Sequence, residues 1–94
     1  MRYNLYATFR ILAEAKNGTL DLPNGATVLE VVNAIVAAHP NLRPHWLDEQ
    51  GELHAHVHIF VNGSDVALLP DGLNTPLESA AVLDFFPPVG GGSY

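Results

Sequence analysis

The sequence holds no cysteine. Disulfides, thiolate metal sites and a cysteine nucleophile are all excluded by that. Cations are scarce as well. Lys and Arg number four against ten Asp and Glu, a formal net charge of −6. Phosphate contacts need Lys and Arg, so the balance argues against nucleic acid as a direct partner. A protein with a basic face would instead be steered toward this chain. No segment approaches the ~20 apolar residues of a membrane span. Met1-Arg2-Tyr3-Asn4-Leu5 lacks the apolar run of a signal peptide. The expectation is a cytoplasmic protein with no membrane partner.

What remains is enough for one domain. Ninety-four residues are 48% hydrophobic and only 15% charged, which supports a single modest core.

Residues 2–10 alternate. Tyr3, Leu5, Ala7 and Phe9 share one face; Arg2, Asn4, Tyr6, Thr8 and Arg10 share the other, which predicts a strand. Lys16-Asn17-Gly18 reads as a hairpin turn and residues 19–23 as a returning strand. Thr27 and Glu30 have the spacing of a capping box. Val28, Val31, Val32, Ile35 and Val36 follow at helical spacing, and Pro40 stops the helix. After a connection holding Trp46, residues 53–61 read as a third strand. Asn62-Gly63 turns it, residues 66–69 are a short fourth piece, and residues 81–86 form the last strand. The pattern alone gives an α+β fold with segregated hairpins.

Most chemistry-bearing types have a bland explanation. His54, His56 and His58 alternate, as metal ligands on a strand would, but a solvated strand face explains them and no metal is expected. Asp48, Glu49 and Glu52 lie in a polar loop. Ser64, Ser79 and Ser93 have turn-like or terminal contexts, so no Ser-His-Asp arrangement can be argued. No catalytic residue is assigned, and the chain is not expected to be an enzyme.

The C-terminal stretch is different. The strand ends on Phe85-Phe86, then Pro87-Pro88, Val89 and Gly90-Gly91-Gly92. Proline has no N–H and fixes φ, so a paired strand does not pass through two of them. Three glycines then give a thin arm with wide backbone freedom. Residues 1–89 are therefore expected as the folded domain and 90–94 as a flexible tail suited to a narrow active site.

This ending resembles the MoaD/ThiS group of ubiquitin-like sulfur carriers, and MoaD, the small subunit of molybdopterin synthase, most of all. The likeness extends through Val61-Asn62-Gly63 and Asp71-Gly72-Leu73-Asn74-Thr75-Pro76-Leu77 to the opening strand and helix. The resemblance implies a β-grasp fold: a mixed sheet of about five strands, with the first and last side by side in parallel and one main helix across it. It implies that a MoeB/ThiF-like adenylyltransferase uses ATP to adenylate the terminal glycine, here Gly92, with Gly90 and Gly91 as the thread. Sulfur then displaces AMP to leave a thiocarboxylate, which a sulfur-accepting enzyme such as the molybdopterin synthase large subunit consumes. No cofactor is bound tightly. In some relatives a lysine amine attacks instead, giving a protein modifier; Lys16 is the only lysine here. Ser93-Tyr94 place the Gly92 carbonyl inside a peptide bond, so the resemblance implies cleavage between Gly92 and Ser93, as by a JAMM-type protease. Tyr6 and Phe86 match aromatic positions of the family, and with Val66 and Leu68 they make the expected docking patch.

Overall fold

The computed structural model describes residues 1–88. β1 (Arg2–Leu5) lies between β2 (Asn17–Thr19), antiparallel, and β5 (Val82–Phe86), parallel. Beyond β5 comes β3 (His58–Val61) and then the two-residue edge strand β4 (Ser64–Asp65), both antiparallel to their neighbours. The sheet order is β2-β1-β5-β3-β4. The first and last strands are central, as the β-grasp expectation requires.

One face of this sheet is covered. Tyr3, Leu5, Ile59, Val61, Leu83 and Phe85 point from it into the core, each less than a tenth exposed. Helix α2 (Val28–Ala38) supplies the opposing layer through Val28, Val31, Val32, Ile35 and Val36. These β-branched residues each cost up to about 0.7 kcal/mol against alanine in helix propensity. Burying each stabilises by about 1.5–3 kcal/mol, so packing outweighs propensity. The capping box fixes where the helix begins. Glu30 N–H donates to Thr27 Oγ1 at 3.2 Å, and Thr27 N–H donates to Glu30 Oε1 at 2.8 Å.

Four expectations change. The opening strand stops at Leu5, not at residue 10. Ala7 adopts φ 52° and the chain folds into helix α1 (Thr8–Ala13). Phe9 still reaches the core, now from the helix, edge-on to Trp46 at 5.4 Å. The first hairpin connection is therefore α1, and Asn17 and Gly18 sit within β2. Gly18 is required there: a Cβ would overlap the Tyr3 ring.

The third strand is shorter than expected. The helical turn α3 (Arg43–Trp46) leads into a bridge between Leu47 and Leu53, and Trp46 C=O accepts His54 N–H at 2.8 Å. That pairing diverts residues 54–57 into a turn, closed by Val57 N–H to His54 C=O at 3.1 Å. His54, His56 and His58 therefore do not share a strand face. Among the described residues no three His, Asp or Glu side chains gather as a metal site.

The fourth piece is a 3-10 turn, Val66–Leu68, while the strand lies just before it at Ser64–Asp65. The Asp65 carboxylate caps the turn, accepting Ala67 N–H at 2.9 Å. The Asn62-Gly63 turn forms where expected. Its two residues have φ 49° and 88°, the positive pair that a tight hairpin turn needs. Among the described residues no helix is long and apolar enough to cross a membrane.

Candidate docking face and tail root

Among the described residues no helix packs on the other sheet face. Side chains alternate along a strand, so the residues between the core positions stand here. Register sets them in rows. Asp84 on β5 is flanked by Asn4 on β1 and Phe60 on β3; Phe86 is opposite His58. Tyr6 follows β1 directly and keeps its pairing, with its N–H donating to Phe85 C=O at 3.2 Å.

Three aromatic rings meet on this face. Tyr6 stacks on Phe86 with centroids 4.2 Å apart and planes 11° from parallel. Phe60 stands edge-on to Phe86 at 5.6 Å. Stacked and edge-on pairs are each worth about 0.5–1.5 kcal/mol beyond their burial, so the group is held in place before any partner arrives. Asp84 fixes it further. Its Oδ1 accepts from Asn4 Nδ2 at 2.8 Å and from the Tyr6 hydroxyl at 3.1 Å. Loss of solvent, then the hydrogen bond and charge of Asp84, push the Tyr6 phenol above its ordinary value of 10.0. Tyr6 is therefore neutral and a donor at physiological pH.

The expected docking residues divide. Tyr6 and Phe86 come together as the centre of the face. Leu68 is 82% exposed, in the turn after the edge strand. Val66 is corrected: it is buried in the core. The reason is the turn. In a strand, residues two apart share a face, but at three residues per turn they point to different sides. Phe60 and Asp84 were not singled out from the sequence. Phe60 is legible, because it alternates with Ile59 and Val61; nothing in the local sequence around Asp84 distinguishes it from a solvated charge.

The tail root lies at the end of β5. Pro87 and Pro88 close a groove with Thr8, Phe9, Ile11, Leu12, His45 and His56. Ile11 is 75% exposed beside it. It escaped notice because the break at Ala7, which creates α1, leaves no glycine or proline signal. Gly90, Gly91, Gly92 and Ser93, the expected thread, attachment and processing positions, lie outside the described residues, as does the boundary between domain and tail.

Comparison with known proteins decides the family. The ThiS family's sequence pattern matches residues 4–92. The chain belongs to the ThiS family. Small archaeal modifier protein 1 of Haloferax volcanii is 32% identical over 92 residues, covering 98% of this chain and all of that one. Small archaeal modifier protein 3 of the same organism is 34% identical over 92 residues, covering 98% of each. The crystal structure of the former superposes with a TM-score of 0.85 over 97% of both chains. A chain of the Amycolatopsis orientalis BexX/CysO complex does so at 0.74, with 25% identity, covering 97% of this chain and 98% of its own. The β-grasp, ubiquitin-like fold is thereby shared with this ThiS-family member.

Proposed function

We propose that this ThiS-family chain is a MoaD-like sulfur carrier charged at Gly92. The observation that carries the reading is the way the central strand ends. β5 runs to Phe86, two prolines stop its pairing, and the sequence continues as Val89-Gly90-Gly91-Gly92. The family match also ends at Gly92.

A carboxylate is a poor electrophile. An adenylyltransferase of the MoeB/ThiF kind joins the Gly92 carboxylate to the α-phosphorus of ATP and releases pyrophosphate. Sulfur then attacks the acyl carbon, AMP leaves, and a thiocarboxylate remains. Glycine suits the position because a Cβ would crowd the channel and the line of attack. Gly90 and Gly91 thread the channel while Tyr6, Phe86 and Leu68 hold the partner's surface. Ser93 occupies the bond that must be free, so cleavage after Gly92, by a protease of the JAMM kind, comes first. The thiocarboxylate passes its sulfur to a molybdopterin-type synthase or a related thiolating enzyme.

The curated relatives, named as modifiers, favour a second reading: a target lysine amine attacks the same acyl adenylate and forms an isopeptide bond. One set of measurements separates the outcomes. With activating enzyme, ATP and sulfide, a chain ending at Gly92 is expected to gain about 16 Da, one oxygen replaced by sulfur. The uncut chain and a Gly92→Ala version of the cut chain are expected to gain nothing. A thiocarboxylate on the uncut chain would end the processing step. A ladder of higher-mass conjugates in lysate, absent when Gly91 and Gly92 are deleted, would establish the modifier.

A further inference from the structure

Asp84 holds the aromatic group from beneath and is the one carboxylate among its described residues. It lines a concavity of 490 Å3 together with His58, Phe60, Gly63 and Phe86. We propose that this concavity receives an arginine side chain from a partner protein, with Asp84 as its counter-ion.

Three features of the site select that occupant. First, the carboxylate is held in place but not neutralised by its donors. Both recorded hydrogen bonds, from Asn4 and Tyr6, come from uncharged groups and fall on the same oxygen, Oδ1. Among the described residues no hydrogen bond falls on Oδ2, which is the oxygen for an incoming donor. Secondly, the walls include the phenyl rings of Phe60 and Phe86, beside His58 and Gly63. A guanidinium is planar and weakly hydrated, stacks on such rings, and offers a fork of N–H donors to a carboxylate. An ammonium is a compact, strongly hydrated point charge and matches the walls less well. An apolar side chain would cover Asp84 and leave a buried charge without a partner, which costs several kcal/mol. Thirdly, the chain carries a net charge of −6, so its overall field favours the approach of a basic surface.

The site rests on the carrier reading in one respect only: the activating adenylyltransferase is the first partner expected to present the arginine. Asp84→Asn is the informative change. It keeps an oxygen for Asn4 and Tyr6, removes the charge, and puts an NH2 donor where Oδ2 accepted.

The first measurement is ATP–pyrophosphate exchange by the activating enzyme with the chain ending at Gly92. Asp84→Asn is expected to raise KM about tenfold, the scale of one charge-assisted hydrogen bond, and to leave kcat within about twofold. An unchanged KM would overturn the proposal. So would a lowered one, which would mean that an apolar side chain fills the site. Failure of the wild-type chain to support exchange would defeat the carrier reading instead, and the pocket is then decided by a second measurement.

That measurement is an NMR titration of the 94-residue chain with N-acetylarginine amide and with its uncharged citrulline counterpart. Saturable shifts at Phe60, Asp84 and Phe86, at least about fivefold weaker with citrulline and lost in Asp84→Asn, are expected. Equal shifts with the two probes would overturn the proposal.

Discussion

Phe85 and Phe86 are chain neighbours with the same side chain and opposite work. Phe85 points to the covered face, is fully buried, and stacks on Trp46 with centroids 4.7 Å apart. Phe86 points to the open face, is half-buried, and stacks on Tyr6 at 4.2 Å. The stacking geometry is almost the same. The difference is what lies beyond each pair. Behind Trp46 are Phe9 and the rest of the core; above Tyr6 there is no further element of the described chain. Aromatic stacking alone therefore does not say whether a pair lies in the core or on an open face. The layer beyond it does.

The sharpest way to break this comparison is to truncate each ring in turn. Phe85→Ala is expected to cost about 3–5 kcal/mol, since it removes a large core side chain and leaves a cavity. Denaturant unfolding measures it, and a loss below about 1 kcal/mol would mean that the covered face is not the core. Phe86→Ala is expected to cost less in the same experiment, about 1–3 kcal/mol, the worth of its two ring contacts. Its main effect should appear with the activating enzyme, as a KM raised more than about tenfold. A reversal of the two stability losses would exchange the roles assigned to the two faces.

The smallest effect separates the two tyrosines. Tyr3 lies on the covered face and Tyr6 on the open one, and both phenols titrate above 10.0. For Tyr3 the cause is burial. For Tyr6 it is burial first, then Asp84. A raised value means the native state holds the proton longer than the unfolded chain. The stabilisation is thus complete below pH 10.0 and is lost as pH rises through the native value. Asp84→Asn should lower the Tyr6 value and leave Tyr3 where it is, as read by NMR titration of each ring. A shift of both together would show that the two faces are not electrically separate.

Much of this was legible in the sequence, and the failures have a common cause. Thr27 and Glu30 marked the start of α2, and the valines its buried side. Asn62-Gly63 gave the hairpin. Phe86-Pro87-Pro88 gave the end of the central strand. In each case the local signal and the tertiary demand agree. The misread segments are those where alternation arises without a strand. Phe9 keeps the period of β1 although the chain has already turned at Ala7, because the core draws the ring in from a helix. The histidines keep a period of two through residues 54–58, but Trp46 and Leu47 take the pairing that a longer strand would have needed. Val66 and Leu68 are two apart, and the 3-10 turn that Asp65 caps makes that spacing point in two directions. The docking face was half visible. Its aromatic members follow from alternation, whereas the placing of Asp84 among them depends on the register between β1, β5 and β3, which no local window contains.

That register also governs how the molecule is made. Asn4 and Asp84 are 80 residues apart in the chain and side by side in the middle of the sheet. During synthesis β1 must wait for β5 to emerge before its inner edge is paired, and helix α2 has only half a sheet to cover until then. Contacts so distant in sequence form late and slowly. Of the described strands β5 leaves the ribosome last and joins the two halves of the sheet, and the sequence runs on from it into Pro87-Pro88 and the three glycines.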